Sequence, residues 1–211
     1  MNVELLTRSE YVADMERVAA LAALTCRGNA DKEFVPAEVL GRIIKAGHES
    51  ILEHINLTYS VKGLSRACLQ ELARHRHISL SVESTRHTLH KYMAMSDDEI
   101  SDFFEKYSTT LPTTLNKELA QALCGSCLGI LRSIKDMLND ELKYYLPEFW
   151  PTNLVLTSNV RELRHILNLR TSPAALKEFR DLARAMYEAV PEQYKYLLKD
   201  CVHNEADNNT N

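Results

Sequence analysis

One strictly alternating stretch places the strongest constraint on how this chain folds. In residues 54–62, apolar and polar side chains take turns along the sequence. Because successive side chains of a strand point to opposite faces, this pattern predicts a half-buried strand. Gly63 then turns the chain into a predicted helix over 64–72, whose C-terminal end delivers Arg74, His75 and Arg76. The apolar face of the strand comprises Ile55, Leu57, Tyr59 and Val61.

The rest of the pattern alternates between predicted strands and helices. Further strands are predicted over 3–6, 87–95 and 153–157. Helices are predicted over 10–26, 36–47, 114–145, 159–170, 173–190 and 191–201. Residues 96–99 are predicted to cap the start of a further short helix. Gly47 is predicted to end its helix as a C-cap. This alternation agrees with a sheet that has helices around it.

Length and composition limit the classes of protein to consider. Of the 211 residues, 45% are hydrophobic and 26% charged, which is typical of a globular protein with one sizeable core. We therefore expect a single domain over 1–203, followed by a polar, disordered tail over 204–211. The net charge of -4 argues against a nucleic-acid polymer as the partner.

Membrane and disulfide signals point to a reduced, aqueous compartment. No apolar run approaches the roughly 18 residues that cross a bilayer, and the N-terminus lacks the signal-peptide pattern, so we expect a cytoplasmic protein without membrane association. Five cysteines, an odd number at irregular spacing, indicate free thiols. Cys124 and Cys127 have C-x-x-C spacing inside an apolar helical stretch, and we expect core packing there rather than a zinc or redox site.

The densest chemistry lies in residues 74–87, which hold three arginines, three histidines and three serines. Guanidinium and imidazole donors followed closely by hydroxyls suit a small anion such as phosphate. Cations at a helix C-terminus are also favourable with the helix dipole, by about 0.3–1 kcal/mol each, so part of this pattern requires no ligand. No G-x-G-x-x-G or P-loop is present, so any dinucleotide must be held by side chains.

A second chemical element is the predicted helix 159–170. Arg161 and His165 are four residues apart and share one face, whereas Leu163, Ile166 and Leu167 lie elsewhere, toward the core. The stripe of Arg161 and His165 can be simply solvent-exposed, or it can bind a ligand.

Histidines and carboxylates also allow a metal-dependent hydrolase. The stretch 48–54 contains two histidines and two glutamates, which are common metal ligands, but His48 and His54 are six apart and would not share a helical face. Our prediction is therefore that no metal binds there. The hydrolase alternative would be built on His48, His54, His75, His77, His87 and His90.

Three motifs resemble those of the flavin-dependent thymidylate synthases. Arg74-His75-Arg76 followed after seven residues by Ser84, Thr85 and Arg86 resembles the family signature. Residues 47–54 resemble its G-H-E-[ST]-x-x-E-H segment, and residues 159–170 resemble N-x-R-[ED]-L-x-x-[FI]-L-x-L-R. The resemblance implies an α+β fold, a single catalytic domain with a mixed or antiparallel central sheet flanked by helices.

The resemblance also implies roles for individual residues. It assigns FAD binding to Ser50, Glu53, Arg74, His75, Arg76, Asn159, Arg161 and His165. It assigns deoxyuridine monophosphate (dUMP) binding to Glu71, Ser84, Thr85, Arg86, Lys143 and Arg170. His48 would face the reaction, and Arg170 would stabilise negative charge that develops on the pyrimidine.

The implied reaction and assembly are those of the family. Reduced FAD delivers hydride to dUMP, methylenetetrahydrofolate donates the carbon that becomes the methyl group, NADPH re-reduces the flavin, and a homotetramer shares residues between active sites. The chain departs from the family pattern at Ser81 and Val82, where Asn-Glu is usual, at Glu71 in place of glutamine, and at Lys143 in place of arginine. These departures keep a second alternative open, a dUMP- and FAD-binding homologue with weak or lost catalysis.

Overall fold

An antiparallel sheet forms the centre of the protein in the computed structural model, which describes residues 1–107, 117–133 and 139–203. Within these residues the sheet has four strands in the order β1-β2-β4-β3. This arrangement, with helices around it, confirms the predicted α+β fold. The strands are β1 Asn2–Leu5, β2 Asn56–Ser65, β3 Ile78–Val82 and β4 Pro151–Asn159.

Helices surround the sheet and include several short 3-10 segments. The described α-helices are α1 Ser9–Thr25, α2 Pro36–Lys45, α3 Arg66–Leu72, α4 Thr85–Ala94, α5 Asp97–Tyr107, α6 Lys117–Ser133, α7 Asn139–Leu142, α8 Val160–Arg170 and α9 Lys177–Glu188. The 3-10 segments are Glu49–His54, Lys143–Tyr145, Glu192–Leu197 and Lys199–Cys201. In the described parts of the chain, none of the helices has the length and apolarity to cross a membrane.

Strand β2 confirms the alternating pattern but continues further than predicted. Its apolar face, from Ile55 to Val61, is buried against the core, while Asn56 and Lys62 are exposed. Gly63 does not end the strand: the register with β4 shifts at this point, and the strand continues to Ser65. With a φ of 77°, Gly63 takes the left-handed conformation that suits a bulge, so helix α3 starts later than predicted.

The C-cap predicted at Gly47 is confirmed. Gly47 has a φ of 71° and donates its backbone N–H to Ile44 O at 3.0 Å, while the His48 N–H reaches Ile43 O at 3.1 Å. These two bonds form a Schellman motif, which satisfies carbonyls that the end of α2 would leave unpaired. The chain is thereby redirected into the 3-10 segment Glu49–His54.

Strand β3 was not predicted, and the strand predicted over 87–95 is wrong. Ile78, Leu80 and Val82 alternate with two serines, a two-residue period that would have identified β3. Residues 87–95 belong instead largely to helix α4. Leu89 is buried and Tyr92 and Met93 half-buried, and this spacing of three and four is that of a helix face.

Several helix boundaries also differ from the prediction. The helix predicted over 114–145 is observed as α6 and α7, followed by the separate 3-10 turn Lys143–Tyr145, and residues 114–116 and 134–138 lie outside the described residues. Helix α9 begins four residues later than predicted, and the segment 191–201 forms two 3-10 turns rather than one helix. The capping box predicted at 96–99 is confirmed, since the Glu99 N–H donates to Ser96 Oγ at 3.2 Å.

Two hydrophobic clusters are buried. The larger one joins the sheet to α1, α2, α8 and α9, and the smaller one lies among α4 to α7 and around Trp150. Cys127 is buried in the smaller cluster, as predicted, and burial raises the pKa of its thiol. The single domain over 1–203 stays a prediction, and the tail 204–211 lies outside the described residues.

Candidate functional site

The basic segment begins where helix α3 ends. Ser65 caps the start of this helix, because its Oγ accepts the Cys68 N–H at 3.0 Å. After Leu72 the chain forms a tight turn, in which the His75 N–H donates to Leu72 O at 3.0 Å. The turn buries the His75 side chain and leaves those of Arg74 and Arg76 exposed. One basic residue of the triplet therefore faces the protein interior, and two face outward.

His75 lies between two charged side chains. Its Nδ1 is 3.2 Å from Glu162 Oε1, and its Nε2 is 3.2 Å from Arg170 Nε. The ring is 6% exposed and also packs edge-on against His165 and Phe179, each with a centroid distance of 5.8 Å. Burial lowers the pKa of His75, and the nearby Arg170 acts in the same direction. The imidazole is therefore neutral at pH 7.

Helix α8 provides most of the chemistry on the other side of His75. Asn159 caps the helix, since its Oδ1 accepts the Glu162 N–H at 2.8 Å. As predicted, Arg161 and His165 are both exposed, while the apolar stripe is buried. Burial of Glu162 and Arg164 on the same helix was not predicted, because periodicity alone treats charged residues as exposed.

Arg164 is a structural arginine inside the functional motif. It is 4% exposed and donates to Asp200 at 2.7 Å through both terminal nitrogens, to Glu49 Oε1 at 2.9 and 3.1 Å, and to Leu197 O at 2.6 Å. These bonds raise the pKa of Arg164 despite its burial. They tie the 3-10 segment Glu49–His54 and the C-terminal turns to α8.

A polar cavity of about 560 Å³, here called the α8 cavity, lies beside this helix. Arg161 and Glu53 both line it and form an ion pair at 2.5 Å. Both partners are half exposed, so solvent and ligands can reach the pair. Among the residues that line the cavity are Glu53, His77, Asn159, Arg161, Glu162 and His165.

A second cavity of about 580 Å³, here called the Arg170 cavity, lies on the opposite side of His75. Arg170 Nη1 donates to Glu71 Oε2 at 3.1 Å, and the guanidinium carbon is 4.5 Å from the centroid of the Phe179 ring. A guanidinium stacked on an aromatic face and paired with a carboxylate is held in one orientation. Arg170 and Glu71 both line this cavity.

The serine end of the basic segment lies at the junction of β3 and α4. Ser84 is exposed at the start of α4, where its carbonyl accepts the His87 and Thr88 N–H groups at 3.0 and 3.1 Å. Glu83 anchors this junction, a role that the sequence did not reveal. Its carboxylate accepts hydrogen bonds from Asn153 Nδ2 and from the Tyr92 hydroxyl, the latter at 3.1 Å.

The predicted site residues are brought together in groups rather than in one place. Glu53, Asn159, Arg161 and His165 line the α8 cavity, and Glu71 and Arg170 line the Arg170 cavity. The remaining predicted residues line neither cavity within one chain; they are His48, Ser50, Arg74, His75, Arg76, Ser84, Thr85, Arg86 and Lys143. His75 nevertheless connects the two cavities through Glu162 and Arg170.

The histidines do not assemble the metal site of the hydrolase alternative. Within the described residues, which include all six histidines proposed for it, only His75 belongs to a cluster with metal-ligand spacing, together with Glu162 and His165. Both ring nitrogens of His75 already face partners, and the lone pair of Nε2 accepts from Arg170. The geometry therefore favours a hydrogen-bonded histidine over a metal ligand.

Comparison with known proteins identifies relatives over most of the chain. The sequence model of the family described as "Thymidylate synthase complementing protein" matches residues 8–194. A flavin-dependent thymidylate synthase of Campylobacter jejuni is 42% identical over 184 residues, which cover 86% of each chain. One of Helicobacter pylori is 39% identical over 184 residues, covering 83% of this chain and 84% of the relative.

Solved structures agree with the sequence comparison. The crystal structure of the flavin-dependent thymidylate synthase from Helicobacter pylori, complexed with FAD and dUMP, has a TM-score of 0.82 and 31% identity to this chain. The superposition covers 96% of this chain and 100% of the other. The chain belongs to the family of flavin-dependent thymidylate synthases.

Proposed function

We propose that this protein converts dUMP to dTMP, with methylenetetrahydrofolate as carbon donor and NADPH as reductant through FAD. The observation that carries this proposal is the placement of the Arg74–Arg76 turn against α8, which puts a cation-lined cavity on each side of one buried histidine. The related Helicobacter pylori protein has been solved with FAD and dUMP, which supports the same two ligands here.

The α8 cavity fits the polar parts of FAD. Arg161 and His165 offer cationic or hydrogen-bonding groups at an exposed face, and Asn159 retains its amide N–H₂ after its oxygen caps the helix. Ser50 and Glu53 lie on the adjoining 3-10 segment. When bound, the flavin supplies the hydride-transfer chemistry, and these side chains bind and orient it.

The triplet 74–76 contributes to the same ligand in two ways. The exposed guanidinium groups of Arg74 and Arg76 can pair with diphosphate oxygens, which guanidinium forks match well. The His75 side chain is engaged with Glu162 and Arg170, so its contribution to the flavin comes through its backbone and the packing of its ring.

The second group of residues would bind dUMP. Ser84, Thr85, Arg86 and Lys143 provide hydroxyl and cationic groups for the phosphate, and Glu71 and Arg170 would meet the uracil ring. Addition of hydride to the C5=C6 double bond of uracil places negative charge on C5 and on the carbonyl oxygen conjugated with it, and a fixed guanidinium near a ring carbonyl lowers the barrier by stabilising that charge as it develops. Arg170 is the catalytic residue in this proposal, and His48 helps to organise the reacting face.

We further propose a homotetramer in which neighbouring subunits complete each active site. Ser84 lies at the start of α4 and is not a lining residue of the cavity that contains Arg170. One chain therefore offers the phosphate-binding and pyrimidine-binding groups in different places. Juxtaposition of two or more chains would bring such groups to one nucleotide.

The test starts with the purified protein loaded with FAD. Anaerobic addition of NADPH should bleach the flavin bands, faster when dUMP is present, and methylenetetrahydrofolate should then yield dTMP. NADH in place of NADPH measures the preference for the reductant. Arg170→Ala should retain the flavin and lose dTMP formation, and Lys177→Ala, at an exposed ion pair on α9, should behave as wild type. A protein that cannot be loaded with FAD would refute the proposal.

The same experiment separates a second candidate, a binding homologue that has lost catalysis. The substitutions at Glu71, Val82 and Lys143 favour this alternative. It predicts that dUMP binds and that FAD can be loaded, but that neither faster NADPH oxidation nor dTMP formation follows. Formation of dTMP at many turnovers per active site would exclude it.

A further inference from the structure

The hydrogen bonds of His75 determine which of its nitrogens carries the proton. A guanidinium can only donate hydrogen bonds, so His75 Nε2, which lies 3.2 Å from Arg170 Nε, must be the acceptor. A neutral imidazole has one N–H, so that proton is on Nδ1. Nδ1 donates to Glu162 Oε1 at 3.2 Å. The tautomer is therefore fixed by the chemistry of its two partners.

The Glu162 carboxylate is buried, and its partner is His75. It is 9% exposed and occupies the third helical position after the cap Asn159, where a glutamate commonly reaches back to the backbone N–H of the cap residue. Its own N–H does bond to the Asn159 side chain. Its Oε1, however, turns to His75. A buried carboxylate requires compensation, and here the imidazole N–H provides it.

The contacts form one line between the two cavities. Glu162 lines the α8 cavity, Arg170 and Glu71 line the other, and His75 connects them. The line runs from Glu162 through His75 to Arg170 and ends at Glu71, with distances of 3.2, 3.2 and 3.1 Å. A change at Glu162 can therefore alter the orientation of the Arg170 guanidinium.

We propose that Glu162 is a positioning residue: its carboxylate holds His75 in the Nδ1–H tautomer, and Nε2 thereby holds Arg170 in the orientation used in catalysis. The second half of this statement depends on the proposed role of Arg170, whereas the first half does not. Without the carboxylate, His75 can place its proton on Nε2, which would then face the N–H of Arg170 and break the bond.

The charged groups around His75 set the direction of the pH dependence. Arg170 lies on one side and Glu162 on the other, with His165 against the ring and Glu71 beyond the guanidinium. Protonation of His75 would put a proton on Nε2, opposite the N–H of Arg170 Nε. Because two donors cannot bond to each other, turnover should fall as the pH drops through the pKa of His75. Burial keeps this pKa below its ordinary value of 6.5, and Glu162 opposes that shift. Removal of the carboxylate should therefore move the acid limb of kcat to lower pH.

The first arm of the test reads the tautomer directly. Protein labelled with ¹⁵N-histidine is compared as wild type, Glu162→Gln and Glu162→Ala, and the His75→Gln spectrum assigns the signal among the eight histidines. Wild type should show one protonated nitrogen at His75, Nδ1. Glu162→Ala, which removes the acceptor of Nδ1, should show a mixture that includes the Nε2–H form, and Glu162→Gln, whose amide oxygen can still accept from Nδ1, should show a smaller change. An Nε2–H signal in wild type, or an unchanged Nδ1–H signal in both variants, would overturn the proposal.

The second arm measures function, with a matched buried carboxylate as control. Glu162→Ala removes the acceptor of Nδ1 and should lower kcat by about 10- to 100-fold while FAD content is retained, since small misplacements of catalytic groups cost rates of this size. Glu162→Gln, whose amide oxygen can still accept from Nδ1, should retain more of the wild-type kcat. Glu178→Gln removes a buried carboxylate on α9 that bonds to Ser65, and it should change neither the tautomer of His75 nor the acid limb. Wild-type kcat in Glu162→Ala would contradict the positioning role.

The two arms separate this proposal from the proposed function. If the wild-type protein forms no dTMP, the proposed function fails, and the ¹⁵N spectra still decide the tautomer. If dTMP forms and the spectra show no change on loss of Glu162, the positioning role fails alone.

Discussion

Arg164 holds Asp200 through two hydrogen bonds of 2.7 Å, and so ties the last turn within the described residues to the helix that carries Arg161 and His165. Arg164 also donates to Glu49, next to the predicted flavin residues Ser50 and Glu53. One buried guanidinium thus fixes two walls of the α8 cavity. An arginine in a ligand-binding motif is therefore not necessarily a ligand contact.

Replacement of Arg164 should destabilise the protein strongly. Arg164→Ala leaves Asp200 and Glu49 without their cation and should lower the free energy of unfolding by about 3 kcal/mol. Arg164→Lys keeps the charge without the fork, so it should recover part of this loss. Urea denaturation measures both. Lys177→Ala removes an exposed ion pair to Asp181 and should cost less than about 0.5 kcal/mol. Equal effects of Arg164→Ala and Lys177→Ala would contradict the structural role.

Glu178 should make stability depend on pH. Its carboxylate accepts the Ser65 N–H at 2.8 Å and the Ser65 hydroxyl at 2.5 Å, but burial raises its pKa above the ordinary 4.5. The folded state then binds more protons than the unfolded state, so the stability contributed by this group falls as the pH rises from 4.5 through the raised pKa.

Glu178→Gln tests this sign, because glutamine does not titrate and its amide oxygen can still accept the Ser65 N–H. The difference in free energy of unfolding between wild type and Glu178→Gln, measured in urea at pH 4.5 and 7.5, should move in favour of the variant at the higher pH. Glu178→Ala should cost about 1–3 kcal/mol, because it leaves the buried Ser65 groups unpaired. A constant difference between the two pH values would show that burial does not shift this carboxyl.

The Glu71 carboxylate should hold Arg170 in place, but its negative charge should weaken the binding of an anionic nucleotide by the protein. Glu71→Gln retains an acceptor for Arg170 Nη1 and removes a negative charge from the Arg170 cavity. We expect the KM for dUMP to fall by about two- to five-fold, since partly exposed charge interactions are worth about 0.2–1 kcal/mol. Glu71→Ala, which leaves Nη1 without this partner, should instead lower kcat/KM. Steady-state kinetics with dUMP varied decides, and a higher KM in Glu71→Gln would mean that the carboxylate contacts the substrate favourably.

Lys143 should act on the phosphate of the substrate. It lies half-buried on the 3-10 turn Lys143–Tyr145, with its Nζ 5.7 Å from the centroid of the Tyr144 ring. Lys143→Ala should raise the Kd of dUMP by about ten-fold, and Lys143→Arg should lower it, because a guanidinium can bind phosphate through two parallel bonds. Calorimetric titration measures both. Deoxyuridine lacks the phosphate, so its binding should be the same in all three proteins if the role is correct.

Local patterns in the sequence determined several elements of the fold. The alternation around Tyr59 predicted β2, the apolar stripe with Leu163 predicted α8, and Gly47 predicted the end of α2. Each of these signals depends only on residues close together in the sequence, because the spacing of apolar side chains indicates which face of a strand or helix packs against the core. The segment 87–95 carries a signal of the same kind, because the spacing of three and four between Leu89, Tyr92 and Met93 indicates a helix face rather than the predicted strand.

Only the tertiary structure decided how the charged residues pair. His75 meets Glu162 and Arg170, which follow it by 87 and 95 positions, and Arg164 meets Asp200 across 36. Burial of a charged group depends on whether the packing of distant elements brings a partner to it, and no periodicity within one helix contains that information. The motifs therefore predicted which residues carry the chemistry, while the packing of α3 against α8 and α9 brought His75 into contact with Glu162, Arg170 and Phe179.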